Sequence, residues 1–405
     1  MIKQRQRWSL VLAVAVGMAM LTTLVPARPV FAQTLHQLSL PDNPLQGRVL
    51  FASRHCQQCH GFAGGRTGIG PNLGDGHFAG TFLELGAALW NHVPGMSVTF
   101  DVTGVSWPRL SDEETVELVV FMNFIDYLGR PGRSEVGEQI FESNGCQSCH
   151  SVGGGEAHLG PDLAELEYFA SPLYLAQRIW NHGPSMFESM REIGMRLPRF
   201  EDGDLADISA YVRQRAAQRP REAGLAAPGN PNRGADLFTS KGCAMCHGRD
   251  GRGGPSGPDL GERDLHRSAE GIAGVMWNHA LAMNETMRAM GIGWPEFQNS
   301  EMADLVSFLY FLPFEDSVGD PSRGAEVFRK HACVECHGEN GSGGEAPSLE
   351  GSGPVSTPSS LVAAMWNHAP TMKTAILGEG RPWPQLTGQD LRDLLALFED
   401  GALME

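Results

Sequence analysis

Along most of this chain, apolar residues recur at the three-and-four spacing of a single helix face. Val116, Val119, Val120 and Phe124 form one such stripe, and Leu205, Ile208, Tyr211 and Val212 form another. Ser111-Asp112 and Thr387-Gly388-Gln389-Asp390 supply start signals for helices of this kind, a hydroxyl oxygen ready to accept from free N–H groups with acids beside it. No stretch shows sustained period-two alternation, so the pattern predicts an all-α chain with almost no β-structure. Gly- and Pro-rich seams interrupt the helical text at 129–132, at 220–231 and at 314–321. The second seam is the longest, which points to a two-plus-two grouping of the segments it divides.

The N-terminus reads differently. Basic residues (Lys3, Arg5, Arg7) precede an apolar run from Trp8 to Val25, and Val30-Phe31-Ala32 gives a small-residue ending before Gln33. That order predicts a secretory signal peptide over 1–32. An uncleaved anchor is the alternative, because about 17 apolar residues is the lower limit for a membrane span. No later segment is apolar enough to cross a membrane, so the mature chain is expected to be soluble, and the signal peptide implies that it is exported, periplasmic or beyond. Removing 1–32 leaves 27 basic against 47 acidic residues, changing the net charge from −16 to −20. Such a surface argues against nucleic acid and suits a partner with a basic docking face.

Candidate chemistry comes from the cysteines. All eight fall in one pattern: Cys56, Cys59 and His60; Cys146, Cys149 and His150; Cys243, Cys246 and His247; Cys333, Cys336 and His337. None is left over for a disulfide framework. C-x-x-C-H is the attachment motif of c-type haem. Two thiols one helical turn apart add to the two porphyrin vinyl groups, and the adjacent imidazole reaches the iron. Cys₄ zinc sites and redox dithiols also use C-x-x-C, but neither requires a His after every second Cys. Four covalently attached haem c groups are therefore expected.

The rest of the chain repeats with the motif at a period near 90 residues, too long for a solenoid repeat, so each unit should be a complete domain. Gly47, Gly137, Gly234 and Gly324 stand four before Phe51, Phe141, Phe238 and Phe328. Pro71, Pro161, Pro258 and Pro347 follow the motif His by ten or eleven residues. A Trp-Asn-His triplet recurs at 90–92, 180–182, 277–279 and 366–368, with Met96, Met186, Met283 and Met372 four residues beyond its His. Pro108, Pro198, Pro295 and Pro384 lie twelve beyond each Met. The expected domains are 43–130, 133–217, 230–314 and 321–402.

Each unit resembles a class I cytochrome c domain. The resemblance implies a first helix crossing a last one through a small residue and an aromatic, here the four glycines against Phe121, Tyr211 and Phe308. Leu397 takes that place in the fourth unit and should give a looser contact. It also implies that the carbonyls of Pro71, Pro161, Pro258 and Pro347 accept a hydrogen bond from the proximal His, and that the distal Met lies in a loop after a middle helix ending near the triplet.

Two repeated candidates compete for the sixth iron position: the triplet His (His92, His182, His279, His368) and the Met four residues on. Only Met occurs at its position, mostly as Pro-x-Met (Pro94, Pro184, Pro370, with Leu281 in unit three), so His/Met ligation by Met96, Met186, Met283 and Met372 is favoured. The triplet Trp would then offer its indole N–H to a propionate, and the triplet His would bond to a propionate or the distal loop. Bis-His ligation with lower potentials is the alternative. The expected function is electron transfer between redox partners rather than catalysis, either as a free carrier or as the haem-bearing subunit of a larger membrane oxidoreductase. A haem enzyme or gas sensor would need a unit without a distal candidate, and every unit keeps both.

Overall fold

Helix starts in this chain are written by short polar residues, and the computed structural model shows them in use. Thr81 and Glu84 cap one another's backbone N–H groups at the start of α2 (Phe82–Thr103), and Ser111 and Glu114 do the same for α3 (Asp112–Phe124). Elsewhere a capping residue stands before a proline in the first turn, where the missing N–H costs nothing. Ser171 opens α5 (Pro172–Glu192), Asn230 opens α7 (Pro231–Ser240), Asp320 opens α11 (Pro321–Lys330) and Thr357 opens α13 (Pro358–Gly378). The remaining helices are α1 (Gly47–Ser53), α4 (Ser134–Ser143), α6 (Asp204–Arg215), α8 (Ala244–His247), α9 (Ala269–Ala289), α10 (Glu301–Phe311), α12 (Cys333–His337) and α14 (Gly388–Asp400).

The structure describes residues 38–62, 68–74, 80–154, 159–165, 171–216, 228–261, 268–339, 341–349 and 355–400. The expected signal peptide lies outside them, as does most of the longest seam. Among the described residues there is no strand, only one isolated bridge between Arg252 and Asp259. The architecture is all-α, as the periodicity predicts.

Each unit is closed by its first helix crossing its last: α1 on α3, α4 on α6, α7 on α10 and α11 on α14. At the crossing a glycine lies directly against the partner backbone. A Cβ on Gly137 or Gly234 would run into the carbonyl of Asp207 or Asp304, so only glycine lets the helices approach this closely. The aromatic pairs follow: Phe51–Phe121 at 5.9 Å between ring centroids, Phe141–Tyr211 at 5.7 Å and Phe238–Phe308 at 5.3 Å. The fourth crossing is not looser. Leu397 is 1 % exposed, and Phe328 finds its ring partner in the adjacent Phe398 at 6.1 Å.

A second tie was not foreseen. Asp207, Asp304 and Asp393, on the last helices, are buried and accept backbone N–H groups from Arg133 (2.6 Å), Asn230 (2.8 Å) and Asp320 (2.8 Å), where the first helices begin. Arg130, Arg233 and Arg323 pair with the three carboxylates. For Asp207, burial acts to raise the pKa, but the hydrogen bonds from Arg130 and Arg133 outweigh it and leave the group below the usual carboxylate range. Unit one has Glu117 at this position, whose pKa is raised chiefly by burial.

The units do not associate as the seams suggest. Long helix α2 of unit one packs on α13 of unit four, and α5 of unit two packs on α9 of unit three. This nested arrangement, one with four and two with three, replaces the expected split at 220–231. Seam length controls only how far consecutive units can separate, whereas complementary surfaces choose the neighbour. Gly86 on α2 lies against Val362 on α13, where any side chain would clash, while Ala176 and Ala273 line one small cavity between α5 and α9. Units one and three also touch: the Tyr310 hydroxyl donates to the Asn123 carbonyl at 2.6 Å, and Phe124 stacks with Phe311.

Candidate haem-attachment site

In every unit the chain enters the Cys-x-x-Cys-His motif through a residue in the left-handed region: His55 (φ 66°), Gly145 (φ 72°), Gly242 (φ 85°) or Ala332 (φ 58°). Two of the four are not glycine, and an L-residue held there carries strain of the kind that gathers at functional sites. The motif then closes one turn. His60 N donates to Cys56 O at 2.9 Å, His150 N to Cys146 O at 2.9 Å and His247 N to Cys243 O at 3.0 Å. In unit four the same turn is the helix α12. One turn stacks the two sulfurs and the imidazole on a single side of the chain.

The Gly-rich loop that follows folds back on this turn. Gly70, Gly160, Gly257 and Ala346 donate their N–H to the carbonyls of Cys59, Cys149, Cys246 and Cys336, at 2.9–3.0 Å. The next residue is the repeated proline, and its carbonyl meets the imidazole as the resemblance implies. Nδ1 of His60, His150, His247 and His337 lies 3.0, 3.1, 3.2 and 3.0 Å from the carbonyls of Pro71, Pro161, Pro258 and Pro347. With Nδ1–H committed to a carbonyl, the lone pair is on Nε2 and the ring is oriented for a metal. Gly160 and Gly257 sit so near the rings of His150 and His247 that a Cβ there would displace them.

The thiols also fit attachment better than redox exchange. Burial pushes the first Cys of each motif, Cys56, Cys146, Cys243 and Cys333, up to about 11. A reactive dithiol needs the opposite, a thiolate stabilised near neutrality.

Both candidate distal residues lie on the middle helix. The expected loop at Met is absent: α2, α5, α9 and α13 continue through the triplet and past Met96, Met186, Met283 and Met372. Pro94, Pro184 and Pro370 lie inside these helices and not in a loop beyond them. The four methionines are half-buried and packed on the core, as are the first cysteines. His92, His182, His279 and His368 are exposed, each with Nδ1 within 2.6–3.0 Å of the carbonyl four residues back: Ala88, Arg178, Val275 or Ala364. The triplet His therefore spends its Nδ1 on its own helix rather than on a distal loop.

The triplet Trp has a different task from the one expected, and the triplet Asn shares it. Trp90 Nε1 donates to Pro384 O and Trp366 Nε1 to Pro108 O; Trp180 Nε1 donates to Pro295 O and Trp277 Nε1 to Pro198 O, all at 2.8 Å. Asn91, Asn181, Asn278 and Asn367 each give a side-chain N–H to, and accept a backbone N–H from, a single residue: Leu386, Phe297, Phe200 and Leu110. All these partners are in the paired unit. The indole N–H groups are committed to proline carbonyls and not free for a propionate. The rigid offset from the triplet to the later proline was visible in sequence, but a repeat does not say whether its two halves meet within a unit or between units.

Comparison with known proteins agrees with this geometry. The cytochrome c family model matches residues 134–216, 231–312 and 321–398, covering the second, third and fourth units. The chain is also similar to the Cbb3-type cytochrome c oxidase subunit FixP of Azorhizobium caulinodans, 28% identical over 133 residues, which is 32% of this chain and 42% of that protein. The chain thus spans about two fifths of that relative's length. No solved structure matches. With the Cys-x-x-Cys-His turn, the proline-anchored imidazole and the glycine helix crossing all in place, this chain belongs to the cytochrome c family.

Proposed function

We propose that the protein is an exported tetrahaem electron carrier, with one haem c held by each unit. The observation that carries this reading is the fourfold recurrence of the proximal geometry, including the imidazole–proline hydrogen bond in the first unit, which the family model does not match. Cys56 and Cys59, Cys146 and Cys149, Cys243 and Cys246, and Cys333 and Cys336 would form the thioethers. His60, His150, His247 and His337 would be the proximal ligands. Haem c, when bound, supplies a one-electron ferric/ferrous couple. The protein orients each imidazole through a proline carbonyl, which makes it a stronger donor, and packs the first cysteine of each attachment turn against the apolar core. Both are levers on potential.

Met96, Met186, Met283 and Met372 are the favoured distal ligands, because they lie against the core while the triplet histidines are exposed. Met with His raises the potential relative to bis-His. The apolar leader at 8–25 favours export to the periplasm, and the acidic surface favours a partner with a basic face. No helix among the described residues is long and apolar enough to cross a membrane. The similarity to an oxidase subunit supports a second reading, in which the chain serves a membrane oxidase as its haem-bearing component; co-purification with a membrane complex would separate that from a free carrier.

The test is haem stoichiometry by pyridine haemochrome with intact mass, followed by the red-edge spectrum of the oxidised protein. Four haems and a sulfur-to-iron charge-transfer band are expected. Three haems would remove unit one from the reading. Low-spin haem without the band would move the ligand role to His92, His182, His279 and His368.

A further inference from the structure

A proline inside a helix has no N–H, so the carbonyl four residues back loses its helical donor. In this chain the carbonyls released by Pro94, Pro184 and Pro370 belong to Trp90, Trp180 and Trp366. Each is filled from another unit: Trp383 Nε1 donates to Trp90 O at 3.0 Å, Trp294 to Trp180 O at 3.0 Å and Trp107 to Trp366 O at 3.1 Å. The donor indoles stack on the same residues, with centroids 4.2, 4.4 and 4.4 Å apart. Unit three is the exception at both ends. It has Leu281, which keeps its N–H, and its partner unit two has Leu197 where the others have Trp. Released carbonyl and incoming indole occur together or not at all.

Two of these stacks begin beside an attachment turn, and all three end on a distal helix. Trp90, Trp180 and Trp366 stand two residues before the triplet His, on the helix that carries both distal candidates. Trp383 follows Arg381 by two, and the Arg381 guanidinium is 4.0 Å from the Cys336 sulfur. Trp294 precedes Glu296 by two, and the Glu296 carbonyl accepts from Lys241, two residues before Cys243, at 2.8 Å. The Trp90–Trp383 and Trp180–Trp294 stacks therefore lead from the attachment turn of one unit to the distal helix of its partner, and Trp107–Trp366 repeats the same contact on the distal helix of unit four.

We propose that the indole stacks Trp90–Trp383, Trp107–Trp366 and Trp180–Trp294 are the bridges between haem sites, so that electrons pass between unit one and unit four, and between unit two and unit three, rather than between units one and two or units three and four. The inference rests on the electron-carrier reading. In each crossing one ferrous site is oxidised and the facing ferric site is reduced by the same electron, and no bond or proton has to move. Tunnelling falls steeply with distance, so the arrangement of sites decides the order. Two stacks serve the one–four pair and one serves the two–three pair, which makes the former the better coupled.

The test uses the full-length, haem-loaded chain. Substituting the cysteines of units two and three (C146A, C149A, C243A, C246A) leaves haems one and four, and substituting those of units three and four (C243A, C246A, C333A, C336A) leaves haems one and two. Dipolar broadening in the EPR spectrum of the oxidised protein and redistribution of a single photo-injected electron are then read. Strong coupling and fast exchange are expected for one with four, and weak coupling with slow exchange for one with two. A unit stripped of haem loses part of its core, so a second variant keeps all four haems. Pro94→Ala and Trp383→Leu combined with Pro370→Ala and Trp107→Leu removes both one–four stacks after the natural example of Leu281 and Leu197, satisfies the Trp90 and Trp366 carbonyls, and should slow the one–four exchange several-fold while circular dichroism is unchanged. Equal coupling in the two cysteine variants, or an unchanged rate in the second, overturns the inference and leaves the electron-carrier reading standing. A wild-type protein that takes up no electrons reversibly overturns both.

Discussion

Replacing Trp383 by Phe keeps an aromatic ring against Trp90 but removes the N–H that satisfies the Trp90 carbonyl. Trp90 and Trp383 are 6 % and 7 % exposed, so water cannot take over that role in full. Leaving a buried acceptor unpaired costs about 1–3 kcal/mol. Pro94→Ala supplies a new N–H at the position from which a regular helix would fill the same carbonyl. In that background the loss of the indole donor should cost under about 1 kcal/mol, because the acceptor is no longer orphaned. The four-protein cycle should therefore show a coupling of about 1–2 kcal/mol between residues on different units. The assay is guanidinium unfolding of the haem-loaded protein, with hydrogen exchange of the peptide spanning 88–104 as a local report on α2. Additivity within about 0.5 kcal/mol would refute the account, since it would mean that the proline and the indole do not share an acceptor.

Other perturbations bear on the helix crossings, the proximal ligand and buried charge. Gly234→Val should destabilise unit three by about 1–3 kcal/mol or more, seen in thermal unfolding, because its side chain must displace the backbone of α10 at Asp304. Gly160→Val should push the His150 ring off its proline carbonyl and change the spectrum and potential of one haem in four; an unaltered redox titration would show that this contact does not orient the ring. Glu270 is buried, and desolvation raises its pKa from an ordinary 4.5 to about 7, against a partly compensating backbone hydrogen bond. Its contribution to stability is complete below pH 4.5 and is lost as pH rises towards 7, by up to about 3 kcal/mol, so Glu270→Gln should flatten stability over that window. Asp207→Asn acts in the opposite direction. The ionised carboxylate is stabilised by Arg130 and Arg133, so the wild type loses that stability as pH falls below the ordinary value of 3.8, and the variant should be less stable near neutrality by about 1–3 kcal/mol in denaturant melts.

Much of the site was legible along the chain because its chemistry is local. Two cysteines and a histidine within one turn, a proline ten or eleven residues on, and a glycine four before a phenylalanine are short-range instructions, and fourfold repetition separates them from chance. Helix class was legible for the same reason, since a 3.6-residue period is a property of neighbours. The crossing glycines could be placed on their partners only through the family resemblance, but their spacing was already fixed in each repeat. Asp207, Asp304 and Asp393 escaped notice because an acid on a helix usually faces water, and burial is not written in one residue.

What the tertiary structure alone decided is how the repeats use one another. Trp90 was expected to offer its indole N–H to a propionate, Pro94 to lie in a loop with Met96 and the 220–231 seam to divide the chain in two. In the folded chain the proline releases a carbonyl within an unbroken helix, the incoming indole belongs to a unit almost 300 residues away, and the seam separates units two and three, which pair with one another. Four copies of one unit carry the same surfaces, so sequence leaves the choice of partner degenerate. Small differences break it: Gly86 makes room for Val362, Ala176 and Ala273 are matched in size, and Leu197 stands in the unit that pairs with Leu281. Such differences acquire meaning only when the surfaces meet, because volume and hydrogen-bond complementarity are properties of pairs and not of positions.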